Sequence, residues 1–299
     1  PSPEGKAERN PMKTVLYIVL TLAALCLLLV LIAVIRTLLR PKKTSSWQPK
    51  RDPAREARYA KILSEMVRYE TVSVKGQIQR EKFLGFHQLL SGLFPLLHEK
   101  LEKTEIDGSL LYFWKGKHSD RPLVLMAHQD VVPAEGEWKH GHFSGDIDEE
   151  GRIWGRGSAD DKSSLMTLMQ AVEELLEEGF VPEQDVYISS SNTEEIGEEG
   201  CPKLVAEMKR RGVKPFIVND EGGSIVTRPM AGIEGNYAMV GVLEKGQGNL
   251  LVSARSNGGH SSYPPKNSPI ARLSKFVCEI EKHYPLRSRL SPQLRSEER

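Results

Sequence analysis

Four short segments of this sequence carry side chains that could bind a metal ion or move protons. In each segment two such residues are adjacent or separated by a single residue. The pairs are His128 and Asp130, Asp160 and Asp161, Glu194 and Glu195, and Asp220 and Glu221. Carboxylates that meet in one place repel one another unless protons or cations lie between them. A pair of divalent metal ions is the simplest neutraliser, and imidazole with carboxylate ligands suits zinc. The sequence therefore predicts a metal site where these segments meet.

The spacing within two of the segments indicates separate roles. Side chains two apart on an extended backbone point the same way, so Asp130 can hold the imidazole of His128 as a carboxylate behind a metal ligand. The side chains of Glu194 and Glu195 diverge, so one can bind metal while the other faces substrate. A metal-activated water and a general base are what metal-assisted hydrolysis requires. Any one pair alone would be an ordinary helix cap or surface pair.

Three short apolar strands and one amphipathic helix must position these segments. The strands are expected directly before three of the segments, at residues 123–127, 186–190 and 216–218. The helix is expected at 163–178, directly after Asp160 and Asp161, and Gly179 should end it. Further helical patterns cover residues 57–70, 81–101 and 202–211. Alternating strands and helices predict an α/β fold with helices on both faces of the sheet, and ligands gather at the carboxyl ends of such strands.

The N-terminal region is apolar enough to cross a membrane. Residues 14–35 contain no charged side chain and would span about 33 Å as a helix, against a hydrocarbon core of roughly 30 Å. We expect a single-pass signal anchor, with a cleaved signal peptide as the alternative. Lysines and arginines flank the segment on both sides, so charge leaves its orientation open.

Five motifs in order, LMAHQDVVPA, WGRGSADDKSS, NTEE, VNDEGG and GGHSSYPP, resemble those of a known family. It comprises the co-catalytic zinc peptidases related to aminoacylase, glutamate carboxypeptidase and carboxypeptidase S. The resemblance covers about residues 55–285 and is greatest for the N-fatty-acyl-amino-acid synthase/hydrolase branch. It implies a zinc-exopeptidase-like mixed sheet and two Zn²⁺ ions per active site. The implied ligands are His128, a bridging Asp160, Glu195, and Glu221 with Asp220 as the alternative.

The resemblance also implies roles for other residues. Glu194 would be the proton shuttle and Asp130 the carboxylate behind His128. The chain would then enter an α+β lid and dimerisation domain, whose opening strand resembles residues 238–245. His260 would be a lid histidine that reaches the active site of a partner subunit, so a homodimer is expected. His140 and His142 are spaced like a metal pair, but they fall in an ordinary loop of the family.

The predicted domains follow from the anchor and the resemblance. They are an N-terminal tail (1–13), a transmembrane signal anchor (14–35), a stalk (36–56), the N-terminal part of the catalytic domain (57–237) and an incomplete lid and dimerisation domain (238–299). The family's fifth zinc ligand is a histidine beyond the lid, but only His283 follows His260 here. We therefore expect a piece of a longer protein, or else a product with an incomplete metal site.

These observations predict a membrane-anchored zinc amidohydrolase that acts on N-acyl amino acids or short peptides, with the reverse, synthetic reaction as a further expectation. The catalytic part would be lumenal or extracellular, and secreted if the anchor is cleaved. The alternatives are a non-catalytic paralogue that acts as a regulatory or interaction module, and a metal transporter or sensor, for which Glu194 would be useless. The 41 basic and 40 acidic side chains give no basic excess, which argues against nucleic acid as a partner.

Overall fold

The computed structural model describes residues 11–39, 51–230, 232, 234–242, 248–260, 262–263, 266–283 and 285. The chain divides into two compact units, Pro1–Glu221 and Gly222–Arg299. The helices of the first unit are α1 (Pro11–Leu38), α2 (Pro53–Arg68), α3 (Arg80–Leu93), α4 (Pro95–Lys100), α5 (Lys162–Glu177) and α6 (Gly200–Arg210). Its strands are β1 (Glu102–Ile106), β2 (Ser109–Trp114), β3 (His118–Met126), β4 (Asp146–Ile147), β5 (Ile153–Trp154), β6 (Gln184–Ser190) and β7 (Ile217–Asn219).

The central sheet is mixed, with the strand order β1-β2-β6-β3-β7. Strands β6, β3 and β7 are parallel neighbours, whereas β1 and β2 add an antiparallel edge next to β6. Strands β4 and β5 form a separate two-stranded sheet. Since parallel neighbours end at the same edge, the three segments that follow β6, β3 and β7 meet there. The predicted α/β sheet is confirmed.

Helices cover both faces of this sheet, as predicted. Along β2, Leu110 and Tyr112 belong to a large core with α2, α3, α4 and α5. Leu111 lies between them and faces a smaller core with Leu204 and Met208 of α6. This alternation is the expected result of the two-residue period of a strand that is buried on both sides.

The helix boundaries follow local sequence signals. The predicted helical stretch 81–101 is divided at Phe94, because Pro95 cannot continue a helix and begins α4 instead. The buried carboxylate of Glu173 then accepts the N–H groups of Leu96 and Leu97, at 2.8 and 2.7 Å. Helix α5 ends at Glu177, and Gly179, with a φ of +71°, follows its C-cap residue as the predicted stop.

The sequence patterns did not predict the hairpin β1–β2. Its two-residue turn is formed by Asp107 and Gly108, with φ values of +50° and +94°. Two successive positive φ angles are typical of the tight hairpin turn that Asp-Gly favours. Strand β1 was missed because its residues are mostly polar and partly exposed, as an edge strand allows.

Helix α1 contains a candidate membrane span. Among the described residues, Val15–Leu38 is the one helical segment long and apolar enough, with a mean hydropathy of 3.3 over its best window. The large apolar side chains of this helix are exposed and are not part of the protein core. The anchor predicted at 14–35 lies within α1, whereas most of the predicted stalk lies outside the described residues.

The second unit contains a hairpin and a helix. Strands β8 (Ser224–Thr227) and β9 (Asn236–Met239) are antiparallel, and α7 spans Pro269–Lys282. The pairing of β8 with β9 places both strands in the compact unit that begins at Gly222. The strand predicted at 238–245 overlaps β9, and residues 243–245 lie outside the described part. His283 directly follows the end of α7.

Candidate metal centre

The imidazole of His128 lies at the centre of the predicted site. His128 follows β3, and its side chain is only 3% exposed. Its Nε2 atom is 2.9 Å from Asp160 Oδ1, 3.3 Å from Glu221 Oε2 and 3.9 Å from Glu194 Oε2. One nitrogen of the ring therefore faces carboxylates that come from three different segments.

Two overlapping groups of potential ligands share this histidine. One consists of His128, Asp160 and Glu195, and the other of His128, Asp161 and Glu221. Within each group, one ligand atom per residue lies within 4.8 Å of the others. The peptide bond between Asp160 and Asp161 is cis. The structure thus brings together one member of each of the four segments and a second member from the Asp160–Asp161 pair.

The buried carboxylate of Asp130 supports the site through hydrogen bonds. It is inaccessible to solvent and accepts hydrogen bonds from Ser73 Oγ and from the main-chain N–H groups of Glu194 and Glu195, at 2.6, 3.1 and 3.2 Å. The Nδ1 atom of His128 is 2.9 Å from the main-chain oxygen of Asp130 and 3.5 Å from its Oδ1 atom. Asp130 therefore lies beside Nδ1 of His128, and its main-chain oxygen makes a shorter contact than its carboxylate.

The electrostatics of the cluster favour a cation. Burial raises the pKa of Glu221 to about 7, and the neighbouring charges of Asp161 and Asp160 add to this effect. Burial likewise raises the pKa of Glu194 and of Glu195. Burial alone would lower the pKa of His128, but the hydrogen bond and charge of Asp130 outweigh it and raise that pKa to about 10. The carboxylates resist ionisation, and His128 retains its proton, because negative charge is in excess in this cluster; a bound cation would neutralise that excess.

The donor set therefore fits zinc. The Nε2 atom of His128 faces the carboxylates, while Nδ1 faces Asp130, which is the arrangement that orients a metal-ligating histidine. Each candidate group combines imidazole nitrogen with carboxylate oxygen, a ligand set found in zinc hydrolases.

Sequence reasoning assigned no role to Asp161. Its side chain is 1% exposed, and its Oδ2 atom accepts the main-chain N–H of His128 at 3.1 Å. Burial raises its pKa. The acidic pair before α5 was the sequence signal for these residues, but it did not indicate separate roles for Asp160 and Asp161. Asp160 and Asp161 both lie in the cluster, in different groups.

The remaining candidates lie elsewhere or make other contacts. The carboxylate of Asp220 belongs to neither group, and its Oδ1 atom accepts the N–H of Glu221 at 2.9 Å. In the second unit, His260 is exposed, with Nδ1 2.8 Å from Ser262 Oγ. His140 contacts Asp146 and stacks on Trp154, and it does not belong to the cluster.

Comparison with known proteins gives a consistent result. Residues 124–294 match the family described as Peptidase family M20/M25/M40. The N-fatty-acyl-amino acid synthase/hydrolase PM20D1.1 of Danio rerio is 36% identical over 283 residues, which cover 90% of this chain and 55% of the relative. Carboxypeptidase S of Saccharomyces cerevisiae is 37% identical over 212 residues, covering 67% of this chain and 36% of the relative.

A solved structure shows a more distant similarity. The M20 family metallo-carboxypeptidase Sso-CP2 from Sulfolobus solfataricus aligns with a TM-score of 0.46 at 23% identity, covering 56% of this chain and 40% of the other. The chain spans about half, or less, of the length of the curated relatives it matches.

Proposed function

Because this chain belongs to the peptidase family M20/M25/M40, we propose that it is a metal-dependent hydrolase that cleaves the amide bond of N-acyl amino acids or short peptides. The proposal includes the reverse condensation of a fatty acid with an amino acid, the reaction suggested by the name of the Danio rerio relative. The single observation that carries the proposal is the meeting of His128 with carboxylates from three other segments.

The proposed cofactors are two Zn²⁺ ions. His128 would hold one ion, Glu195 the other, and Asp160 would contribute to both. Glu221 would be a further ligand, and Asp161 lies with His128 and Glu221 in one of the two candidate groups. When bound, the ions supply Lewis acidity toward the substrate carbonyl and neutralise the acidic cluster. Asp220 remains the alternative to Glu221.

Glu194 is the proposed proton carrier. Its side chain is about half exposed, so it can meet both water and substrate, and Asp130 holds its main-chain N–H. Because burial raises its pKa, the carboxylate is a better base than an exposed glutamate. Glu194 would take a proton from the attacking water as the water oxygen bonds to the carbonyl carbon. It would then give that proton to the amine as the carbon–nitrogen bond breaks.

The second unit and α1 complete the proposal. Residues 238–299 would belong to a lid and dimerisation domain, and His260 would steady the substrate carbonyl or carboxylate in the site of a second subunit. Helix α1 would anchor the protein, with the catalytic part lumenal or extracellular; cleavage after α1 would make the protein secreted.

The test is to replace Glu194 while preserving the metal site. In the zinc-loaded protein, Glu194→Gln should lower kcat for N-acyl amino acids by roughly 10²–10⁴-fold, because the proton carrier is lost. The zinc content, measured by metal analysis, should stay at the wild-type value.

The matched control is Glu198→Gln, four residues further on. Its carboxylate accepts the N–H of Gly76 and belongs to neither candidate group, so kcat should stay close to wild type. Hydrolysis by Glu194→Gln at the wild-type rate would disprove the mechanism. Bound zinc without turnover in the wild-type chain would favour the regulatory alternative.

A further inference from the structure

Two buried amide side chains connect the catalytic segments to one hairpin turn. Gln129 lies between His128 and Asp130, and Asn192 lies two residues before Glu194. The exposed fractions of Gln129 and Asn192 are 0% and 1%. Neither side chain belongs to the metal cluster, so their burial and hydrogen bonds require another explanation.

Both amides donate to neighbouring carbonyls of the β1–β2 turn. Gln129 Nε2 donates to the main-chain oxygen of Gly108 at 2.9 Å. Asn192 Nδ2 donates to the main-chain oxygen of Asp107 at 3.0 Å. The turn therefore binds a residue from the segment after β3 and a residue from the segment after β6.

Further contacts fix the orientation of each amide. Gln129 Nε2 also donates to the Ser190 oxygen at 3.1 Å, so its Oε1 atom faces His87 Nε2 at 2.9 Å. Burial lowers the pKa of His87 to about 4, so this histidine is neutral and donates from Nε2. Asn192 Oδ1 accepts from Ser109 Oγ at 2.7 Å. Each amide side chain therefore makes hydrogen bonds both through its N–H donors and through its carbonyl oxygen.

Gly108 allows this close approach. Its φ of +94° is unfavourable for other residues, and a Cβ atom at this position would lie 2.4 Å from Asn192 Nδ2. A side chain here would therefore displace the amide of Asn192. The turn has the shape that the two amides require.

The two catalytic segments also meet on their other side. The Asp130 carboxylate accepts the N–H groups of Glu194 and Glu195. The hydrogen bonds therefore form a closed circuit: from the turn to Gln129, along the chain to Asp130, across to Glu194, and back through Asn192 to the turn.

We propose that Gln129 and Asn192 are positioning residues that, through the Asp107–Gly108 turn, fix the distance between His128 and the Glu194–Glu195 pair. The proposed function supplies the reason that this distance matters, because metal ligands and the proton carrier lie on both sides of it. The circuit itself rests only on the hydrogen bonds among the turn and the two segments.

The consequence is local. Loss of the Gln129 amide removes the donor to the buried Gly108 oxygen, and loss of the Asn192 amide removes the donor to the Asp107 oxygen. Either change frees one segment to move. The hydrogen bonds from the main-chain N–H groups of Glu194 and Glu195 to Asp130 should then break more often, while the groups that contact substrate remain present. We expect a lower kcat with little change in KM, and a zinc affinity weakened by roughly 10–100-fold, as when the partner behind a metal ligand is removed.

The experiment compares Gln129→Met and Asn192→Leu with the wild-type chain. Both variants keep the approximate side-chain volume and remove the amide. Hydrogen exchange of the Glu194 and Glu195 amides, followed by NMR, should accelerate by roughly 10-fold or more. The absorption spectrum of bound Co²⁺ should also change, because the ligands shift.

The matched control is Gln170→Met in α5. Gln170 is also buried, and its amide contacts Glu174, away from the turn. This variant should lose stability without accelerating exchange at Glu194 and Glu195. Gly108→Ala and Gly179→Ala form a second pair: both glycines have positive φ, but a Cβ at Gly179 meets open space. They test the circuit if the amide variants do not fold.

The outcomes separate this inference from the proposed function. If exchange accelerates but the wild-type chain binds neither Zn²⁺ nor Co²⁺, the circuit stands and the metal hydrolase proposal fails. If the wild type binds metal and hydrolyses substrate while every variant keeps wild-type exchange and Co²⁺ spectra, the positioning role is overturned.

Discussion

The carboxylates of Glu221 and Asp220 are adjacent in sequence but have different surroundings. Glu221 Oε2 lies 3.3 Å from His128 Nε2, and burial among other acids raises its pKa to about 7. Asp220 Oδ1 accepts the main-chain N–H of its neighbour, which is a local turn contact. The sequence motif favoured Glu221 and kept Asp220 as the alternative, because a motif alone does not tell which of two adjacent acids turns toward the metal.

We predict that Glu221→Gln weakens zinc binding and Asp220→Asn does not. Loss of a ligand should reduce affinity by at least the roughly 10–100-fold that follows loss of an outer partner. A titration against a chelating dye would measure both variants. The reverse result, with weak binding in Asp220→Asn alone, would exchange the roles of the two residues.

At the scale of elements, Lys162 connects the start of α5 to the end of α2. Its fully buried ammonium group donates to the main-chain oxygens of Met66, at 3.0 Å, and Tyr69, and it lies 5.0 Å from the centre of the Phe86 ring. These carbonyls lie at the C-terminal end of α2, where the last carbonyls of a helix lack their usual intrahelical partners; the Met66 oxygen also accepts the N–H of Tyr69. Because α5 begins beside Asp160 and Asp161, this contact also supports the site.

We predict that Lys162→Met lowers the free energy of unfolding by about 1–3 kcal/mol, because the main-chain oxygens of Met66 and Tyr69 lose the hydrogen bonds from Lys162. Lys209→Met, on the exposed side of α6, should change it by less than about 0.5 kcal/mol. Urea unfolding would measure both. Equal stability of the two variants would contradict the role of Lys162.

The effect of Lys162 should depend on pH. Burial lowers its pKa to about 7, whereas a lysine in the unfolded chain has a pKa of about 10.4. Between these values the unfolded chain binds the extra proton, so the contribution of Lys162 to stability rises with pH from about 7 to about 10. The difference between wild type and Lys162→Met should therefore grow over this range.

What could be predicted from the sequence differs between strands and loops. The parallel strands β3, β6 and β7 were recognisable because each is a short apolar run followed by polar residues, and their shared edge assembled the site. The β1–β2 hairpin was not predicted, although Asp107-Gly108 is a strong turn signal. The burial of Gln129 and Asn192 depends on that hairpin and is therefore not readable from their own sequence neighbourhood.

At the scale of the whole molecule, α1 is the element that bears on location. We predict that the expressed chain stays with membranes after carbonate extraction, because Val15–Leu38 is long and apolar enough to span. A variant that begins at Arg51 should be extracted, and it retains Asp52, which caps α2. A shorter product in the medium would instead identify α1 as a cleaved signal.

The proposed role of His260 predicts a specific behaviour of mixed dimers. His260→Ala should lower hydrolysis, whereas His283→Ala, another exposed histidine of the second unit, should not. If His260 serves the site of the partner, mixing His260→Ala with Glu194→Gln chains creates dimers in which one site has both residues. Random pairing in a two-fold dimer would then restore roughly a quarter of wild-type activity. If His260 served its own subunit, every site in the mixture would lack one of the two residues and activity would stay at the level of the separate variants. Mixing therefore distinguishes a histidine shared between subunits from one that acts within its own chain.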